Sequence, residues 1–177
     1  MTSTSPAPAW DELQRRLDSL KPATSTFTIC DDEKLRIRLG QAKAELANAE
    51  ARLKAAGDEA ADTTAEEHRA ERARTELAAA QAAHDERAVT LRFRAIPRKQ
   101  LAALEREHPA NEEEEANGEE FHMDDFAPAV IAAASLDGMP LEYAITCMTE
   151  WSASDSRDLF SAAYGIQHRS RSDLGKG

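Results

Sequence analysis

The stretch EKLRIRLGQAKAELANAEARLKAAG, residues 33–57, decides how this chain is read. Within it Leu35, Leu39, Ala42, Leu46, Ala49, Leu53 and Ala56 recur at alternating spacings of four and three. A helix turns once in ~3.6 residues, so that spacing gathers them on one seam of the kind two packed helices share. Asp31 and Asp32 stand where a helix needs caps, and Gly57 stands where it needs a stop. After a polar turn, Asp62 or Thr63 opens a second helix running to about Arg87. Its seam, Ala70, Ala73, Leu77, Ala80 and Ala83 or His84, is small enough to let two backbones approach closely in an antiparallel hairpin. No Phe, Trp or Tyr occurs between Asp31 and Ala88, whereas alanine occurs eighteen times. This segment therefore packs thinly, helix on helix, and so short a seam depends on its base for stability. Its charged outer faces read as a solvated arm or, alternatively, as a partner-binding face.

Outward from the hairpin, Thr26-Phe27-Thr28-Ile29 on one side and Val89-Thr90-Leu91-Arg92-Phe93-Arg94 on the other alternate polar and apolar residues, the pattern of strands. Pairing them puts Phe27 and Ile29 beside Val89, Leu91 and Phe93 on one apolar face, with the hairpin inserted between two strands of one small domain. Before them, Trp10, Leu13, Leu17 and Leu20 mark a short amphipathic helix closed by Lys21-Pro22, and Met1 to Pro8 are expected to be disordered. After them, Pro97 opens a helix carrying Leu101 and Leu104 that ends at His108-Pro109.

Eight carboxylates and no Lys or Arg lie between Glu112 and Asp125, and Glu112 to Glu115 with Asn117-Gly118 are expected to be a mobile acidic linker. These carboxylates with His122 suggest a metal site only weakly, because like charges in a flexible loop form no preorganised cage. The C-terminal part is richer in apolar residues. Phe121, Phe126, Val130, Ile131 and Leu136 form one helical stripe, broken by Gly138-Met139-Pro140. Leu141, Ala144, Ile145 and Met148 form another, ending at Trp151. Ser154 caps a third helix with Leu159, Phe160 and Tyr164, broken at Gly165. Short turns between three helices point to a compact helical unit.

The expected fold is thus mainly α: a small two-stranded β element carrying an antiparallel helical hairpin, plus a C-terminal three-helix unit. Its expected divisions are an N-terminal tail and short helix (1–22), a strand–hairpin–strand–helix domain (23–109, hairpin 31–88), an acidic linker (110–120), the helical unit (121–165) and a flexible tail (166–177).

Of the 177 residues, 41% are hydrophobic but only 5% aromatic, which supports a modest core. The net charge of −11 argues against nucleic acid, whose binding needs a basic face, and against an anionic membrane surface. It also keeps an exposed apolar surface soluble. The N-terminus has neither a basic region nor an apolar run of the signal-peptide kind, and no stretch approaches the ~20 apolar residues of a membrane span. No Gly-rich phosphate loop, no nucleophile elbow and no His-Glu-x-x-His occurs, and the five histidines show no pair at metal spacing. Cys30 and Cys147 lie far apart, and Cys147, beside Met148, reads as a small core residue rather than a nucleophile. Ser152, Ser154 and Ser156 beside Asp155 and Asp158 are helix-start chemistry. The expectation is a non-enzymatic binding protein without cofactor or metal.

Three segments carry a family resemblance. Leu91-Arg92-Phe93-Arg94-Ala95-Ile96-Pro97-Arg98-Lys99-Gln100 leads through Leu104 to His108-Pro109. After the acidic run comes Phe126-Ala127-Pro128-Ala129-Val130-Ile131-Ala132-Ala133-Ala134-Ser135, and then Met148-Thr149-Glu150-Trp151-Ser152-Ala153-Ser154 continuing to Leu159-Phe160. In this order they resemble the tail assembly chaperones encoded by siphophages and prophages of actinobacteria, over roughly Phe27 to Tyr164. The motifs are packing patterns, so the resemblance brings no catalytic or cofactor-binding residues.

The resemblance implies a protein that binds the long, hydrophobic tape measure protein in the host cytoplasm. It keeps that protein soluble while tail tube subunits polymerise around it, and is absent from the mature virion. The family commonly adds a longer product by a programmed minus-one ribosomal frameshift near the end of the gene. Gly175-Lys176-Gly177 fits such a site if encoded GGA-AAG after a G, because the slipped frame reads GGG-AAA and again encodes Gly-Lys. The longer product would link the chaperone to the tail tube protein. A further copy of this chain is another candidate partner. A structural minor tail or connector protein of the virion, and a non-viral coiled-coil adaptor, are the alternatives. Phe126, Met148, Trp151, Phe160 and Tyr164 are the candidate partner-binding residues, since aromatics and Met anchor interfaces; the plain alternative is that all five are core.

Overall fold

The computed structural model describes residues 10–58 and 62–170. The expectations for Met1 to Pro8 and for Gly175-Lys176-Gly177 lie outside the described residues. In chain order the elements are α1 (Trp10–Asp18), β1 (Thr24–Ile29), α2 (Glu33–Asp58), α3 (Thr64–Arg87), β2 (Val89–Arg94), α4 (Arg98–Glu107), α5 (Glu112–Ala116), α6 (Met123–Ala134), α7 (Leu141–Glu150) and α8 (Ala153–Gly165), followed by a 3-10 turn, Ile166–His168. The strands form a two-stranded antiparallel sheet.

Two compact units share the chain. One runs from Thr28 to Thr90; the other joins the residues up to Phe27 with those from Leu91 onward.

In the first unit α2 and α3 pack along each other with two thin apolar clusters. Leu39 and Ala42 meet Ala80 with Leu77 beside them, and Ala49 meets Ala70 and Ala73 with Leu46 and Leu53 beside them. Positions that ascend in α2 meet positions that descend in α3, so the helices are antiparallel. Asp32 Oδ1 accepts from the backbone N–H groups of Lys34 (3.0 Å) and Leu35 (3.2 Å), capping α2. Arg38–Glu76 (2.8 Å) and Arg74–Glu50 (3.1 Å) bridge the two helices. All four side chains are about half exposed, so these pairs align the helices more than they stabilise them.

The second unit has the thicker core. Phe93, Ile96, Ile131, Ala134, Ala144, Cys147, Leu159 and Ala163 form its buried centre, with Phe27, Leu91, Leu101, Leu104 and Trp151 packed against it. Ala144 and Cys147, three residues apart and both fully buried, let α7 lie close on α6. Polar bonds lock the chain ends of this unit. Ser25 Oγ donates to the Ala162 carbonyl (2.6 Å), and Gln167 accepts from the Ile96 N–H (2.8 Å) while donating to the carbonyls of Ala163 (2.8 Å) and Arg94 (3.1 Å). The backbone after α6 continues the pairing of β2: Phe93 bridges Ser135, and the Leu136 N–H donates to the Arg92 carbonyl (2.8 Å). Asp137 then accepts from the Arg92 backbone N–H (2.7 Å) and guanidinium (2.6 and 3.0 Å). Gly138 turns the chain at φ 74°, a left-handed conformation that suits glycine.

This architecture corrects the one expected from sequence. The chain is mainly α with a small antiparallel sheet, but that sheet is not the base of a helical hairpin set beside a separate three-helix unit. Thr24 to Phe27 and Leu91 to Arg94 belong to the same unit as α6, α7 and α8, and Phe93 lies in those helices' core with no exposed surface. The cause is that two strands bury too little to stand alone and need helices against their apolar face. Nor is that face uniform: Val89, expected beside Leu91 and Phe93, is largely exposed.

Two segments differ from their sequence reading more locally. Within the acidic run, expected as a mobile linker, Glu112–Ala116 form a helical turn. Asn111 caps it, accepting from Glu113 and Glu114 N–H (3.0 Å each), while Glu114 reaches back to the Asn111 N–H (2.8 Å). Past residue 165, expected to begin a flexible tail, Ile166 is buried.

Candidate partner-binding surface

The five candidate residues fall on α6, the end of α7, and α8, all in the second unit. Phe126 is fully buried; Met148, Trp151, Phe160 and Tyr164 are half-buried. Four of the candidates are thus placed to show an edge to solvent, while Phe126 has none to show.

The structure brings three of them together. Phe126 stacks on Phe121 with ring centroids 4.2 Å apart, and meets Tyr164 (5.7 Å) and Phe160 (6.3 Å) edge to face. Phe160 and Tyr164 stack at 5.1 Å, the (i, i+4) contact of one helix face, and His168 caps the row edge-on at 4.6 Å. Burial, with Glu105 and Glu120 nearby, pushes the Tyr164 phenol above its usual range. Trp151 belongs elsewhere: it stacks on Phe27 at 6.2 Å, just past the end of α7, and packs against the core with Met148.

Sequence reasoning did not single out the exposed apolar residues of α7 as a contact surface. Leu141 (45% exposed), Tyr143 (53%) and Ile145 (43%) lie on α7, with Leu136 (43%) shortly before it. The sequence reading puts Leu141 and Ile145 on one apolar stripe with Ala144 and Met148, and Cys147 in the core. Of these, Ala144 and Cys147 are fully buried and Met148 packs against the core with Trp151, whereas Leu141 and Ile145 face water. The available signal was the pair of small residues three apart, which marks where helices approach most closely. A second exposed apolar row, Trp10, Leu13, Leu17 and Leu20, runs along and just beyond α1, a helix with no buried residue.

Polar chemistry nearby is modest. His122 lies at the N-cap of α6, its Nδ1 2.7 Å from Glu114 Oε1 and its Nε2 3.7 Å from Asp125. Hydrogen bonding to Glu114, then attraction to Glu114, Asp125 and Asp124, raises the imidazole pKa. Glu114 is held below the ordinary carboxylate range by the Asn111 backbone and then by His122. Among the described residues, no group of three His, Cys, Asp or Glu is arranged to hold a metal ion. Burial pushes the Cys147 thiol up, and its carbonyl accepts from Ser156 Oγ (2.9 Å). Among the described residues, no helix is long and apolar enough to cross a membrane.

No family model, curated protein or solved structure matches the chain.

Proposed function

We propose that the chain is a tail assembly chaperone of a long-tailed phage, holding the hydrophobic tape measure protein soluble in the host cytoplasm until the tail tube closes around it. The observation that carries this reading is the apolar edge of α7 formed by Leu141 and Ile145, one turn apart and exposed on a chain of net charge −11, with Tyr143 exposed on the other flank of the same helix. Water-facing apolar residues on one helix favour contact with another apolar surface, and strong net charge keeps the resulting complex dispersed. Half-buried Met148 and Trp151 extend the face at the end of α7, and the row Phe160–Tyr164 offers a second edge on α8. Phe126 supports that row from beneath. The order of the segments carrying the family resemblance agrees with this reading. Release before the virion matures belongs to the same proposal.

The test is co-expression with the tape measure protein that this reading expects to be encoded beside the chain's gene. The wild-type chain should raise the soluble fraction of that protein and co-purify with it. A variant carrying Leu141→Ser, Tyr143→Ser and Ile145→Ser should fold and lose both effects. A folded variant that still solubilises the tape measure protein would sink the assignment to α7. Finding the chain in purified particles would replace the chaperone by a structural tail component.

A further inference from the structure

The corner where β2 passes into α4 gathers cations on an otherwise acidic chain. Arg94, Gln100 and Arg169 line one cleft of about 410 Å³ together with Leu20, Pro97, Ile96 and Ile166. Arg98, Lys99 and Arg106 line the adjoining face of α4, broken only by Glu105. Arg94, Arg98, Lys99 and Arg169 are exposed, and none forms an ion pair among the described residues. Other arginines of the chain do find carboxylates: Arg38, Arg69, Arg74 and Arg92 are all paired.

The floor of the cleft decides what kind of anion fits. Ile96 and Ile166 are nearly buried there, and Leu20 and Pro97 close its sides. A small inorganic anion would meet the arginines but leave that apolar floor wet. A nucleic acid needs a continuous basic track to displace many counterions, and here a handful of cations is interrupted by Glu105 on a chain of −11. A peptide that alternates carboxylates with apolar side chains satisfies both parts at once: its acids meet Arg94 and Arg169 in the cleft and Lys99 on the face of α4 beside it, and its apolar side chains cover Ile96 and Ile166. The cleft size falls within the usual range of ligand sites. The net charge does not forbid such a partner, because carboxylates beyond ~8 Å are largely screened at physiological salt.

We infer that this cleft docks an acidic, partly apolar peptide segment of a protein partner. The inference rests on neither the α7 face nor the client proposed for it.

Fluorescence anisotropy on the full chain tests it, with a labelled peptide of alternating Glu and Leu as probe. An all-Glu peptide, an alternating Arg and Leu peptide and a single-stranded oligonucleotide serve as comparisons. The Glu-Leu peptide should bind saturably, more weakly as salt rises, and better than any comparison. Arg94→Glu with Lys99→Glu and Arg169→Glu should weaken it about tenfold or more, since three exposed charge contacts turn repulsive together. Bound peptide should slow amide exchange over residues 94–100 and 166–169. If the triple variant misfolds, Arg94→Gln with Arg169→Gln, both at exposed positions, gives the same readout. Absence of saturable binding, binding indifferent to these substitutions, or an oligonucleotide that binds more tightly would each overturn the inference.

Discussion

Replacing Phe93 with alanine separates the observed architecture from the one its sequence suggests. Phe93 has no exposed surface and lies in one cluster with Ile131, Ala144, Cys147 and Leu159. Removing a buried phenyl ring loses its transfer free energy and leaves a cavity that the surrounding helices only partly fill, together about 3–5 kcal/mol. Domains of this size are stable by roughly 5–15 kcal/mol, so Phe93→Ala should leave the unit marginal and lower its Tm by about 10–20 °C. Segment-resolved hydrogen exchange is the assay that discriminates. Because Phe93 belongs to the core of α6, α7 and α8, those helices should lose protection together. Val89→Ala is the control: on the same strand but largely exposed, it should cost under about 0.5 kcal/mol. If Phe93→Ala strips protection from α2 and α3 while α6 to α8 stay protected, the sheet belongs to the helical pair and the division of the chain is wrong.

Two further outcomes follow from other parts of the structure. Leu46→Asp places a carboxylate in the thin cluster of Ala49, Ala70 and Ala73, at a cost on the order of 2 kcal/mol. Exchange should accelerate along α2 and α3 and stay unchanged in α6 to α8; equal acceleration in both units would contradict their separation. For the His122–Glu114 contact the signs run in opposite directions. The raised imidazole pKa gives stability that is complete below the ordinary histidine value and disappears as pH rises through the folded value. The lowered Glu114 pKa gives stability that is present above the ordinary carboxylate value and disappears as pH falls through the folded one. The contact is therefore firmest at mildly acidic pH, and Glu114→Gln should bring the His122 pKa, read by NMR titration, down toward its ordinary value. An unchanged titration would mean that Glu114 is not what raises it.

Individual elements were legible because their signals are local. The seam from Leu35 to Ala56 repeats at every turn of α2 and the cap at Asp32 adjoins its first turn, so no distant residue is needed to read them. The alternation around Phe27 and around Phe93 marks the strands for the same reason. Which core the strands join is a different kind of question. Its answer depends on Ser25 reaching the Ala162 carbonyl, Arg92 reaching Asp137, and Gln167 reaching Ile96 and Arg94. These partners lie tens of residues apart and leave no periodic trace. The helical turn at Glu112–Ala116 was hidden by composition, because a run of carboxylates reads as self-repelling until the Asn111 cap and the His122 contact are seen. On α7 the sequence reading places Leu141, Ala144, Ile145 and Met148 on one stripe, whereas close packing against α6 buries only the smaller Ala144, with Cys147, and leaves Leu141 and Ile145 exposed.

The same packing bears on how the proposed contact face would work. Trp151 is held by its stack on Phe27, and Ala144 and Cys147 hold α7 close to α6, so the backbone beneath Leu141, Tyr143 and Ile145 has little room to shift. Adaptation to a varied apolar client then falls to side chains. Met148 is half-buried beside that face, and an unbranched thioether changes rotamer at low cost. Under the proposed function, a long client would present many different apolar stretches to one chaperone. A rigid helix with a movable methionine suits that task better than a deep preformed pocket, because it accepts apolar area without demanding one shape. Two substitutions at Met148 separate this from packing alone. Met148→Leu keeps the volume but stiffens the side chain, so it should preserve stability while narrowing the range of client segments held. Met148→Ala should lower both.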